Sequence, residues 1–347
     1  MRAYVYNEKN VLELQELPVP SIGAGEALIE VTLTAICGTD LRTYRHGSRH
    51  IDPPRVIGHE LVGKIVETSG AVEGFAAGDR VHVAPAIGCG SCGYCKRGDT
   101  NLCVNLRTIG FQYDGSFAEH MRLPVEAFTR GNITRIDSAI EDRELVMAEP
   151  LACVINAQQF LALEAAKSVA IYGGGFIGCL HAELARAKGV DTVIVVDVDQ
   201  KRIEAVEEAL PYVQPINSQL QDLSAEIRRL TDGMGTDASI VACSVGAAQT
   251  QAMENTRGLG HVSLFGGLPG ESKGYLDSNL IHYKEISVHG VHASTPDQNR
   301  EAIRWLTEGR LNTQGFNQNV YPLSRIEDAF AAVDGQEILK ALIQPDA

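Results

Sequence analysis

The stretch that most constrains this chain runs from Ser168 to Asp197. An apolar run, Ser168 to Tyr172, leads into Gly173-Gly174-Gly175-Phe176-Ile177-Gly178. Helix-forming sequence follows to about Lys188, then a second apolar run, Thr192 to Val196, that ends at Asp197. Strand, tight turn, helix and strand make a βαβ unit. Gly173, Gly175 and Gly178 have the G-x-G-x-x-G spacing, and they stand where that spacing carries meaning, after a strand and at the opening of a helix. The first glycine allows the turn, the second lets a pyrophosphate approach the backbone, and the third lets the helix pack on the sheet. The helix start at Phe176 and Ile177 offers free N–H groups and a partial positive charge to phosphate. Asp197, nineteen residues past Gly178, stands where a carboxylate can bond both ribose hydroxyls of NAD and repel the 2′-phosphate of NADP. Lys201 and Arg202 follow closely and soften that preference.

The alternation continues beyond this unit. Helical sequence at Lys201–Leu210, Leu223–Thr231 and Ala247–Thr256 separates strand-like runs at Ala238–Cys243, His261–Phe265 and Ile286–Val291. Apolar strands between helices predict a parallel sheet covered on both faces. Residues before about 148 read differently: short β-branched runs (Ala27–Ala35, Leu61–Thr68, Arg80–Ala84, Phe117–Leu123) between glycine and aspartate turns, with no long amphipathic helix. The C-terminal part holds an amphipathic helix at Gln298–Glu308, another at Ile326–Val333, and a strand at Lys340–Gln344. The expected organisation is a β-rich, barrel-like domain over residues 1–148 to which 292–347 return, with a dinucleotide-binding α/β domain inserted over 149–291. At 347 residues the chain is long enough for two cores.

Four of the eight cysteines, Cys89, Cys92, Cys95 and Cys103, lie in one glycine-rich loop. Disulfides and a single metal ion compete for such a cluster. The N-terminus alternates like strands and has no apolar signal core, so a cytoplasmic, reducing location is expected, and there clustered cysteines are metal ligands. Four thiolates close a tetrahedron around zinc and leave no open position, which makes the site structural.

A second constellation is spread over three segments: Cys37-Gly38-Thr39-Asp40, Gly58-His59-Glu60 and Ala148-Glu149-Pro150. Each alone reads as ordinary packing. Together they offer one sulfur, one imidazole and two carboxylates, and mixed ligands with an open position mark catalytic zinc.

These motifs, with Gly78-Asp79-Arg80-Val81 and in this order, resemble the zinc-dependent medium-chain dehydrogenase/reductase family over nearly the whole chain. Glu149-Pro150-Leu151 resembles its polyol branch, of the sorbitol or L-iditol dehydrogenase type. The resemblance implies an α/β protein: a GroES-like β-barrel catalytic domain plus an inserted Rossmann dinucleotide-binding domain. It implies two zinc ions per chain, NAD, a polyol or sugar-like substrate, and a homodimer or homotetramer. Cys37 and His59 are then zinc ligands, with Glu60 and Glu149 as ligands or water-mediated partners. Asp40 orients His59, Thr39 bonds the reacting hydroxyl, and Cys153 only packs. One departure stands out. Relatives commonly carry a histidine five residues after the zinc cysteine as part of a proton relay, and this chain has Arg42, leaving Tyr44, His46 and the NAD ribose as relay candidates. Arg42, Arg45 and Arg49 are either a solvated basic face or a holder for an anionic substrate.

The net charge of −14 argues against nucleic acid or an anionic membrane as partner, since both need a basic footprint. No apolar run is long enough to span a bilayer. The expected function is hydride transfer from a secondary hydroxyl of a polyol, sugar or sugar acid to NAD. The alternatives are the same chemistry on an amino alcohol, an inositol or a sugar phosphate, or a non-catalytic NAD sensor on this fold.

Overall fold

The computed structural model describes every residue except 71, 271–274, 317 and 347. The chain forms two compact units. One comprises Met1–Ala152, Ala293–Gly309 and Phe316–Ala347; the other comprises Cys153–His292 and Arg310–Gly315.

The first unit is β-rich. A seven-stranded sheet runs Ile133–Arg135, Arg80–Val83, Glu60–Thr68, Ala27–Ala35, Leu342–Gln344 and Val320–Pro322, with His120–Leu123 also paired to Ala27–Ala35. A three-stranded sheet places Arg2–Glu8 between Val11–Glu16 and Arg55–Val56. Two register shifts interrupt the pairing of Ala27–Ala35 with Glu60–Thr68, and such irregularities bend strands. Ile29, Val31, Leu61, Ile65, Val81, Val83, Met121 and Leu123 bury one core, while Tyr4, Ile57, Phe117, Phe330 and Ile343 belong to another.

The register of three adjacent strands positions the chemistry. Ala35 pairs with Glu60, and Leu342 pairs with Ala35 from the other side. Cys37 follows Ala35, His59 precedes the strand that opens at Glu60, and Lys340 precedes the strand that opens at Leu342. Three segments distant in sequence therefore meet at one end of the sheet.

The second unit holds a six-stranded parallel sheet in the spatial order Gln214–Asn217, Thr192–Asp197, Ser168–Tyr172, Thr236–Val241, Thr256–Leu264, Ser287–Gly290. Numbered along the chain this is 3-2-1-4-5-6, the Rossmann order, whose ligand crevice lies at the carboxyl ends of the strands where that order reverses. All five residues of Ser168–Tyr172 are buried, as expected for a strand covered on both faces.

Two elements escape the sequence pattern. Gln214–Asn217 is a strand, although Pro215 and Asn217 are poor strand formers; it lies at the sheet edge, where proline is tolerated. Gly38–His46 is a helix inside the β-rich region. Its polar sequence shows no apolar stripe, and its start is fixed locally: the Cys37 sulfur accepts from the Thr39 N–H at 3.4 Å, and the Asp40 carboxylate accepts from the Cys37 N–H at 2.9 Å. That reciprocal capping satisfies two donors at the helix entry.

Candidate active site

Cys37, His59 and Glu60 present ligand atoms all within 4.8 Å of one another. They are near enough for one zinc ion, with bonds of about 2.0–2.3 Å, to draw them together. Gly58 makes the approach possible. Its φ is +95°, and a Cβ there would lie 2.6 Å from the Phe117 ring, so only glycine fits before His59. The His59 ring packs edge-on against Phe111, with centroids 5.8 Å apart.

Asp40 ties the cluster together. Besides capping the helix, its Oδ1 lies 3.3 Å from His59 Nδ1. Nδ1 is buried without a hydrogen-bond partner. Burial alone pushes the His59 pKa down, but the charges of Asp40 and Cys37 outweigh it, and the result stands well above 6.5. Surroundings that attract a proton to an imidazole so strongly favour a cation, and a metal ion competes for the same position. The sulfur–imidazole–carboxylate donor set fits zinc.

Glu149 is buried in the first turn of the helix Ala148–Gln158. The close group of ligand atoms comprises Cys37, His59 and Glu60. Thr39 lies in the first turn of the capped helix, where its Oγ1 accepts from Arg42 Nη2 at 3.2 Å. Tyr44 turns elsewhere: its ring packs edge-on against Phe330, and it lines a separate cavity of about 530 Å³ with Asn10, Leu12 and Arg45. Arg45 is ion-paired with Asp334, and Arg49 donates to His50.

Lys340 is the site residue that sequence reasoning missed. It is 2% exposed, donates to the Ile36 carbonyl at 3.0 Å, and forms an ion pair with the Glu60 carboxylate, itself 1% exposed. The available signal was one lysine inside the apolar run Ile338 to Ile343. A lysine buried in such a run needs a carboxylate.

The four-cysteine loop forms its own cluster, with all four sulfurs within 4.8 Å of one another. Cys89 Sγ lies 4.0 Å from Cys95 Sγ, and Cys92 Sγ lies 3.9 Å from Cys103 Sγ. A disulfide requires about 2.0 Å. A tetrahedron with Zn–S bonds of about 2.3 Å has edges of about 3.8 Å, so the spacing suits zinc, and none of the eight cysteines is in a disulfide. Backbone N–H groups of Cys89, Cys92, Cys95 and Asn105 point at these sulfurs at 3.2–3.5 Å. Hydrogen bonds from Ser91, then from the Cys92 backbone, bring the Cys89 thiol down to about 5, while burial raises Cys95 to about 12. Ionising the raised Cys95 thiol beside the lowered Cys89 thiol is the work a bound cation does. The loop is pinned by Arg130, which donates to the Cys89 carbonyl at 3.1 Å.

In the second unit, Gly173 adopts a φ of +117°, and a Cβ on Gly178 would lie 1.9 Å from the Gly173 carbonyl oxygen. The helix Phe176–Ala187 starts at Gly175 with no side-chain cap, leaving its N–H groups for an anion. Asp197 accepts from the Gly174, Val198 and Asp199 N–H groups at 2.7, 2.7 and 3.0 Å. The Arg202 guanidinium lies 3.1 Å from where a Gly175 Cβ would stand. The carboxylate thus clamps the glycine turn, and a cation lies beside it.

Residues 23–131 match the alcohol dehydrogenase GroES-like domain, and residues 177–308 match the zinc-binding dehydrogenase domain. Sorbitol dehydrogenase of Halalkalibacterium halodurans is 32% identical over 336 residues, covering 96% of this chain and 95% of the relative. The chain belongs to the zinc-binding medium-chain dehydrogenases. L-threonine 3-dehydrogenase of Pyrococcus furiosus is 34% identical, over 92% of this chain and 90% of that one. The solved alcohol dehydrogenase of Thermus sp. ATN1 superposes with a TM-score of 0.91 at 27% identity, covering all of both chains. This zinc-binding dehydrogenase thus has the expected GroES-like and Rossmann parts. Among the described residues no helix is long and apolar enough to cross a membrane.

Proposed function

We propose that this chain is a two-zinc, NAD-dependent dehydrogenase that oxidises a secondary hydroxyl of a polyol, sugar or sugar acid. The observation that carries this reading is the convergence of Cys37, His59 and Glu60 within 4.8 Å, in a chain that also builds the glycine turn and the Asp197 clamp. Similarity to sorbitol dehydrogenase over 96% of the chain supports the substrate class.

The convergence of Cys37, His59 and Glu60 supports the following roles. Cys37 and His59 hold the catalytic zinc, Glu60 and Glu149 are its carboxylate neighbours, and Asp40 fixes the His59 ring. Bound zinc supplies Lewis-acid stabilisation of the substrate oxygen, and the nicotinamide supplies the hydride acceptor. Thr39 Oγ1 already accepts one hydrogen bond from Arg42, which leaves its proton and remaining lone pair for the substrate hydroxyl. Arg42 stays charged and takes no proton, and Tyr44 packs on Phe330, which leaves His46 and the NAD ribose as the candidates to pass the Thr39 proton on. The turn Gly173–Gly178, with Phe176 and Ile177, receives the pyrophosphate, and Asp197 receives the ribose. Cys89, Cys92, Cys95 and Cys103 hold the structural zinc.

An amino alcohol is the second reading, favoured by the 34% identity to L-threonine 3-dehydrogenase. The test is a screen of NAD reduction over alditols, inositols, aldonates, sugar phosphates and L-threonine, with and without a chelator. Turnover is expected with at least one class and is lost with the chelator. Cys37→Ser and His59→Ala are expected to lower kcat/KM by about 10³ or more, equivalent to about 4 kcal/mol of lost oxygen stabilisation. Full activity in either variant sinks the catalytic-zinc assignment. Tight NAD binding with no turnover in any class would favour the sensor.

A further inference from the structure

Of the three arginines between residues 42 and 49, Arg45 is ion-paired with Asp334 and Arg49 is turned to His50. Arg42 differs from both. It is exposed, and its guanidinium donates to Thr39 Oγ1 at 3.2 Å. Among the described residues it has no carboxylate partner, in a chain that carries 44 acidic side chains against 30 basic ones. The helix geometry fixes its place: Thr39 and Arg42 are three residues apart on Gly38–His46, on one face and one turn from the Cys37 cap. A guanidinium has five donors in a planar fork. Thr39 takes one of them, and the rest of the fork faces solvent beside the group proposed to bond the reacting hydroxyl.

We infer that Arg42 is a specificity residue that binds a carboxylate on the substrate, so that the preferred substrate is a hydroxy acid rather than a neutral polyol. This deepens the proposed dehydrogenase function and rests on it. A hydroxyl bonded to Thr39 Oγ1 lies within about 6 Å of the Arg42 fork, two hydrogen-bond lengths away. A carboxylate a few carbons from the oxidised carbon spans that gap. The planar fork suits the two oxygens of a carboxylate, and a charge-assisted bond there orients the chain of the substrate while Thr39 holds its hydroxyl. A neutral alditol gains no such bond.

The test uses matched pairs that differ only at one end: gluconate with glucitol, galactonate with galactitol, and L-threonine with threoninol. Glucitol 6-phosphate separates phosphate from carboxylate. For the parent, kcat/KM is expected to favour the acid of the productive pair by about tenfold or more. Arg42→Gln is expected to lower that acid-to-alcohol ratio by about 10- to 100-fold, and Arg42→Lys to recover only part of it, since an ammonium keeps the charge but loses the fork. Titration calorimetry on chelator-treated protein gives a readout independent of turnover. The acid is expected to bind the parent more tightly than its alcohol partner, and Arg42→Gln is expected to erase the difference. An unchanged ratio in Arg42→Gln, with turnover intact, overturns the role of Arg42 and leaves the dehydrogenase reading standing. A preference for the phosphate over every carboxylate overturns the choice of a carboxylate. Absence of turnover with every compound overturns both readings together.

Discussion

Replacing Lys340 with methionine tests the charge balance behind the site. Lys340 and Glu60 are 2% and 1% exposed, so neither charge has appreciable access to water. Lys340→Met keeps much of the apolar stem but strands the Glu60 carboxylate and removes the bond to the Ile36 carbonyl. Removing one partner of a buried pair costs about 3–5 kcal/mol. For a unit of roughly 200 residues, each kcal/mol lowers Tm by about 2–4 °C, so a loss near 4 kcal/mol predicts a drop of about 8–16 °C. The assay is thermal unfolding of chelator-treated protein followed by near-UV circular dichroism. Zinc bound beside Glu60 supplies a second cation, and the drop in zinc-loaded protein is expected to be less than half as large. Adding Glu60→Gln to Lys340→Met removes the stranded charge and is expected to restore more than half of the lost Tm. A metal-free Lys340→Met variant melting within about 2 °C of the parent, or a double variant no more stable than the single one, would refute the buried-pair argument.

The cofactor and pH dependence follow from other groups. Asp197→Asn keeps an acceptor for the Gly174 N–H but removes the charge proposed to meet the ribose, while Arg202 remains beside Gly175. The NADP-to-NAD ratio of kcat/KM is expected to rise about tenfold or more, about 1.4 kcal/mol, and an unchanged ratio would remove Asp197 from cofactor selection. His82 is fully buried with its Nε2 3.0 Å from Asn299 Oδ1, and burial lowers its pKa from 6.5 to about 4. The unfolded chain therefore binds a proton that the folded chain refuses between those values, so the His82 contribution is complete above pH 6.5 and is lost as pH falls toward 4. The loss approaches about 3 kcal/mol. His82→Gln should flatten the decline of Tm over that window, and an identical slope would show that other groups dominate.

The parts of this chain that were legible in sequence are those whose chemistry is local. Gly173 to Asp197 shows its turn, its helix and its carboxylate within one supersecondary unit. The four cysteines likewise declare a metal through their spacing and the reducing location expected for the chain. The helix Gly38–His46 was not legible, because it is set by the Cys37 and Asp40 caps and not by an apolar stripe. Lys340 was harder still, since the reason for a buried lysine is Glu60, 280 residues away and adjacent only through the pairing of Leu342 with Ala35.

The same reasoning bears on Arg42. In sequence, Arg42, Arg45 and Arg49 form one basic cluster, either a solvated face or a holder for an anionic substrate. In the structure Asp334 neutralises Arg45, His50 occupies Arg49, and Arg42 alone turns to Thr39. A charge acquires a function where the fold withholds its counter-ion. Lys340 and Arg42 are therefore opposite cases: the first is matched within the protein and holds Glu60 in place, and the second is left for a ligand to match. Raising salt should consequently weaken acid substrates through Arg42, whose pairing is open to solvent, while leaving the buried Lys340–Glu60 pair largely unscreened.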